Sequence, residues 1–367
     1  MYSQNDLDEA VASGALSADA AASLRAFVDG QRASPAVDEE NFRLITGFND
    51  IFVSIASALL LFAVGWIGQS IGQSMGLVVD FNGPSPLAPA AVAVTAWALA
   101  LFFTAKRRMA LPSILLLLAF VGGVFATAGF GLFAGIGEEN LNGNTLMSGI
   151  VGMCAGAIAA GAAWLHWKRF QVPITVAAGA AAVAAFAVSL LIAFIGEPEN
   201  LKDIILGFVL LLGIGVFLFA MRWDSSDPSR ITRRSDVAFW LHLLAAPMIV
   251  HPVFTLLGLN DGSATISEGL IVVALYVAIG LTALAIDRRA LLVSALAYVL
   301  YALSELFKQF GAVELNIALT ALVIGSSLLL LSAFWHQARS LIVRQLPAGL
   351  QAKLPYLDRE PIPQPTA

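Results

Sequence analysis

The feature that most constrains this chain is an apolar run of about 20 residues that recurs ten times, with the charged residues gathered between the runs. A helix of that length crosses roughly 30 Å of hydrocarbon. A soluble helix as long would carry charge on its exposed face. The runs extend from about Ile51 to Ile71, Leu87 to Thr104, Leu111 to Phe133, Leu146 to Trp164 and Val172 to Ile195. Five more extend from about Ile204 to Met221, Val237 to Leu259, Ile266 to Ile286, Ala290 to Phe307 and Leu315 to Phe334. With 59% hydrophobic and 12% charged residues, the chain has about half the charge of an average soluble domain. The expected fold class is all-α, a polytopic transmembrane helix bundle of about ten spans.

Orientation follows from the basic residues, because Lys and Arg in short loops resist translocation. Lys106, Arg107 and Arg108, then Lys168 and Arg169, then Arg222, Arg230, Arg233 and Arg234, then Arg288 and Arg289 fall in alternate loops. The opposite loops hold only Lys202 and Lys308, but carry Asp80, Glu138, Glu139, Glu197, Glu199, Asp203, Asp261 and Glu268. Of 20 basic residues, 18 are then cytoplasmic. Removing the run Ala290 to Phe307 would strand Arg339 and Arg344 outside, so ten spans fit better than nine. Trp164, Trp167, Trp223, Trp240 and Trp335 fall at inner span ends and read as interfacial anchors. Multi-pass insertion in a bacterial inner membrane, with both termini cytoplasmic, is the expectation.

Three regions follow. Residues 1–46 read as a cytoplasmic module, with a helix from Leu7 to Ser13, a break at Gly14, a second helix capped by Ser17, and the acidic linker Asp38, Glu39 and Glu40. The module lacks the basic, then apolar, pattern of a signal peptide, so the first span is expected to direct insertion. Residues 47–336 form the bundle. Residues 337–367 form a cytoplasmic tail with a short amphipathic segment interrupted by Pro347 and a Pro-rich end. A faint repeat links two outer loops, Gly137 to Leu141 and Gly196 to Leu201, and suggests a two-span hairpin as a repeated unit.

No catalytic residue, cofactor or metal site is expected, and an enzyme is not the favoured reading. Cys154 stands alone among Gly152, Met153 and Gly156, which excludes a disulfide framework or cysteine zinc site. A net charge of -5 with no basic cluster interleaved with aromatics argues against a nucleic-acid partner. Gly68 to Gly72 and Gly72 to Gly76 both fit the G-x-S-x-G pattern, with Ser70 or Ser74 as nucleophile and His251 as a conceivable base. No strand precedes either motif, and glycines at every fourth position make a ridge for close helix packing. Packing is therefore the preferred role of Gly68, Gly72 and Gly76, as of Gly152 and Gly156 in the fourth span.

The ninth run is the most informative. Ser294, Tyr298, Tyr301, Glu305 and Lys308 alternate at steps of four and three, so they share one helix face. An embedded carboxylate ordinarily faces the bundle interior and pairs with something, which makes Glu305 a candidate functional group and Lys308 its nearest partner. The competing reading has Glu305 snorkelling to the outer headgroups. The seventh run carries His242, Pro247, His251 and Pro252, and the prolines free backbone carbonyls and kink the helix. His251 lies about 21 Å above Val237, level with Glu305. If spans seven and nine are neighbours, His251, Tyr301 and Glu305 converge on a polar pocket suited to a proton or substrate relay; a histidine satisfied by a backbone carbonyl is the alternative.

Leu7-Asp8-Glu9-Ala10, Gly14-Ala15-Leu16-Ser17, Ala20-Ala21 and Leu24-Arg25, followed by Asn41-Phe42-Arg43 and the first span, resemble a family of bacterial multi-pass membrane proteins with an N-terminal domain of unknown function. The resemblance covers about 60 residues and implies a bacterial multi-pass membrane protein of undetermined activity. It carries no catalytic residues to this chain. The leading functional expectation is permease-like handling of a small solute or ion between spans seven and nine, with the lipid bilayer as surroundings. The alternatives are a non-transporting scaffold or regulator whose residues 1–46 bind a cytoplasmic protein, and, third, an intramembrane serine hydrolase.

Overall fold

The computed structural model describes residues 10–24, 48–80, 83–228, 230, 232–258, 266–309, 315–351, 354–355 and 357, apart from the side chains at 266, 268, 290, 297, 305, 306, 308 and 309. Residues 1–43 with 358–367 form one compact unit, and residues 44–357 a second. In the first, residues 18–24 are helical. The Ser17 hydroxyl caps that helix by accepting the Ala20 N–H at 3.2 Å, and Gly14 turns the chain at φ +74°.

Among the described residues, the second unit is an all-α bundle of ten apolar helices. They are α1 (Phe48–Ser74), α2 (Leu87–Phe103), α3 (Ala110–Ile136), α4 (Thr145–Phe170), α5 (Ile174–Ile195), α6 (Leu201–Asp224), α7 (Arg233–Leu256), α8 (Ile266–Ile286), α9 (Ala290–Gln309) and α10 (Asn316–Ala333). A short helix, α11 (Trp335–Val343), follows. Eight of the ten are long and apolar enough to cross a membrane; α2 and the apolar stretch of α9, Leu291–Ser304, are shorter. Large apolar side chains such as Phe52, Phe62, Trp66, Phe194 and Leu329 lie exposed on the flanks. That surface suits lipid, and the chain is a multi-pass membrane protein.

Helices adjacent in sequence pack together, most extensively α4 with α5 and α6 with α7. Lipid tails are as apolar as leucine, so small residues rather than hydrophobic burial set these contacts. A methyl group on Gly68 would lie 2.6 Å from the Leu87 carbonyl oxygen, and one on Gly72 would strike the Ser85 side chain. Between α4 and α5, Gly152 faces Ser189, and a methyl on Gly156 would lie 2.8 Å from the Phe186 nitrogen. Gly76 does not continue the α1 ridge: the helix ends at Ser74, and Gly76 is a turn residue at φ +70° with open space around it. The two similar loops begin alike, since Gly137 and Gly196 cap α3 and α5 at φ +86° and +75°.

One helix is central. Half of the apolar window of α7 is buried, against 6 to 33% in the other seven long helices. α7 packs on α5, α6 and α9. Pro247 and Pro252 lie within it, and Ala245, Ala246, Val250 and Phe254 fill its contacts. The chain after α10 also returns to the bundle: Trp335 and Val343 pack with Ala283, Leu284 and Ile286 of α8.

Candidate functional site

Two polar constellations are built on α7, one toward each end. Toward its C-terminal end, His251 Nδ1 lies 2.6 Å from the Tyr298 hydroxyl of α9, and the Tyr298 ring stacks on Phe254 at 4.6 Å. Spans seven and nine are thus neighbours. His251 is exposed and Tyr301 is 38% exposed. Glu305 and Lys308 lie on α9, but their side chains fall outside the described residues. Ser304, one residue earlier, accepts a hydrogen bond from Asn316 Nδ2 at 2.8 Å.

Toward the N-terminal end, at the level of the arginine-rich loops, the bundle buries an ionic cluster. His242 Nε2 lies 2.9 Å from Asp224 Oδ2, and both side chains are at most 1% exposed. The Arg288 guanidinium completes the group, donating from Nη2 to Asp224 Oδ1 and from Nε to Oδ2 at 3.3 Å. It also donates to the Ser235 carbonyl at 3.1 Å. A carboxylate held by a bidentate arginine is an acceptor only, so the His242 contact requires Nε2 to carry the proton. Nδ1 of the same ring is buried with no partner among the described residues. That nitrogen is left as a lone pair or, after taking a proton, as a second donor.

Asp287 centres the other half. Arg230 Nη1 donates to its Oδ2 at 2.8 Å, and Nη2 donates to the carbonyls of Ile286 and Asp287 at 3.0 and 3.1 Å. Trp335 Nε1 donates to Oδ1 at 2.6 Å, and Arg339 stands 3.8 Å from the same oxygen while donating to the Pro355 carbonyl. Asp287 occupies the left-handed region at φ +58°. α8 ends there in a Schellman-type turn, with Arg288 N–H bonded to Ala283 O and Asp287 N–H to Leu284 O. Asparagine or aspartate tolerates this conformation better than most residues, and here the side chain is needed by three partners. Burial and then the neighbouring Arg288 lower the Arg230 pKa, whereas Asp287 opposes them. Asp227 holds the start of α7, accepting from Thr232 N–H at 2.9 Å and its hydroxyl at 2.6 Å. Three buried arginines, Arg230, Arg288 and Arg339, therefore meet two buried aspartates, Asp224 and Asp287, and the buried Asp227 holds the neighbouring turn.

Several sequence readings change here. Arg230, Arg288 and Arg339 are not merely loop charges marking a side, since each is at most 6% exposed. Trp335 is no interfacial anchor but a buried donor, in contrast to Trp164 at 62% exposed. His166, near the C-terminal end of α4, is fully buried among Trp97, Phe120 and Phe170, with Nδ1 3.2 Å from the Thr175 hydroxyl. The missed signal was the set of aspartates inside basic loops, Asp224, Asp227 and Asp287, each close in sequence to an arginine it meets or neighbours. The hydrolase constellation does not assemble. Ser70 is exposed, Ser74 donates to the Ile71 carbonyl at 2.7 Å, and His251 is engaged with Tyr298. Gln69 between the motifs ties down the loop before α2, donating to Gly83 O at 3.0 Å and accepting Ser85 N–H at 2.7 Å.

Fold and cluster together define an all-α, multi-pass membrane protein with a buried ionic centre at one end. Comparison with protein-family models, with curated proteins and with solved structures gives no match to this chain.

Proposed function

We propose that this protein handles a small ion or solute, with protons as the first candidate, along the polar groups of α7. The carrying observation is His242: a histidine inside a membrane helix, held by Asp224 and Arg288, with Nδ1 unpartnered among the described residues. Embedded ionisable groups are costly and mark ion or proton pathways. His251 lies nine residues further along, about 14 Å up the same helix, against Tyr298. Nine residues place the two histidines on opposite faces, so a relay between them passes around α7, where Pro247 leaves a backbone carbonyl without its helical donor. Glu305, one turn beyond Tyr301 on α9, completes the path in this reading. The protein is taken to lie in a bacterial inner membrane with the ionic cluster and both termini cytoplasmic, following the basic loops.

The test is proton uptake by proteoliposomes driven by a potassium diffusion potential and followed with an entrapped pH dye. Uptake above that of protein-free vesicles is expected, with His251→Gln and Glu305→Gln each suppressing it while leaving the protein folded. Uptake equal to that of empty vesicles overturns the reading. It would leave the scaffold or regulator, whose own test is loss of partner capture on deletion of residues 1–46.

A further inference from the structure

Beside the ionic cluster, a cleft of about 160 Å³ opens on the flank of the bundle between α8, α9 and α10. Leu292 and Leu296 of α9 and Leu328 and Leu331 of α10 line it. Arg289 immediately precedes α9 and Trp335 opens α11, so both belong to the basic end of the cleft. The Arg289 guanidinium lies over the Trp335 ring, 4.9 Å from its centroid. Val293, also in the wall, is 65% exposed, which shows that the cleft opens sideways onto the lipid-facing surface.

We propose that this cleft binds an anionic phospholipid, with the phosphate against Arg289 and an acyl chain along the four leucines. A guanidinium fork matches phosphate oxygens, and its position at the end of an apolar wall reproduces the order of headgroup and tail. An extended peptide laid along this wall would leave its backbone N–H and C=O groups unpaired in an apolar setting. A free phosphate would meet the guanidinium but leave the leucine wall uncovered. Occupancy stabilises the ionic cluster, because Arg289 stacks on Trp335 and Trp335 donates to Asp287.

The experiment compares the full chain in nanodiscs of phosphatidylcholine alone and of phosphatidylcholine with phosphatidylglycerol, reading the unfolding temperature and, by native mass spectrometry, the lipid retained. Phosphatidylglycerol is expected to raise the unfolding temperature by roughly 3–6 °C and to remain bound. Arg289→Gln removes both effects, as does Val293→Trp, which fills the cleft without touching Asp287; Arg107→Gln, an arginine at the same end, keeps them. Inorganic phosphate added to phosphatidylcholine discs gives no shift. The proposal is overturned if phosphatidylglycerol has no effect, if phosphate reproduces it, or if wild type and Val293→Trp respond equally. The Val293→Trp comparison decides the matter even if Arg289→Gln does not fold.

Discussion

Asp287 concentrates more of this structure on one carboxylate than any charge in the apolar runs suggested. It accepts from Arg230 and Trp335, stands near Arg339, and ends α8 in the left-handed conformation. Removing its charge leaves buried guanidinium groups without their counter-charge, which costs about 3–5 kcal/mol where a buried pair is broken from one side. Asp287→Asn is therefore expected to lower the unfolding temperature in detergent markedly, whereas Glu197→Gln in an exposed loop leaves it unchanged. Equal behaviour of the two variants would mean that the cluster does not hold the bundle together. His242 was legible from sequence because an ionisable group inside an apolar run has only a few outcomes. Asp224, Arg230 and Arg288 were not, since a charge in a short loop reads the same whether it stays in water or folds back. Only the packing of α6, α7 and the α8–α9 turn shows which occurs.

Among the elements, α4 and α5 show what close packing demands. Across their interface Gly149 meets Ala193, Gly152 meets Ser189, Gly156 meets Phe186 and Gly179 meets Ala163. A larger side chain at Gly156 must separate the helices, so Gly156→Leu is expected to destabilise by about 1–3 kcal/mol. Gly161→Leu, on the same helix with open space at its Cβ, is expected to be neutral; both are read by thermal unfolding and size-exclusion profile. The glycine spacing in the sequence indicated these ridges because a small-residue period has a direct geometric meaning. Helix ends were read less well. Hydropathy follows the apolar stretch and not the helix ends, so Ile51 to Ile71 falls short of α1 at both ends (Phe48–Ser74), and Val237 to Leu259 starts late and runs past the end of α7 (Arg233–Leu256). The four residues before Val237 were legible only as loop, yet they carry Ser235, whose carbonyl holds Arg288. The segment after α10 reads in sequence only as a short amphipathic tail; its buried face of Trp335, Arg339 and Val343 repeats every four residues and meets α8.

For the whole molecule, the alternation of basic and acidic loops predicts which side each loop faces. In a Cys154→Ser background, an impermeant maleimide is expected to label Asn142→Cys on intact cells and Ser226→Cys only in inverted vesicles. The reverse pattern would invert the orientation, and labelling of both from one side would contradict the span count between them. The all-α class was legible throughout because bilayer physics permits few alternatives. The site was half legible, since its helices were identifiable but their neighbours were not. The central claim is that α7 is a polar path rather than a packing strut. Its most direct measurement is the rate of potential-driven proton uptake per reconstituted molecule in wild type against His242→Gln. A loss of at least about tenfold in a variant that remains folded is predicted; equal rates in two folded proteins would contradict it.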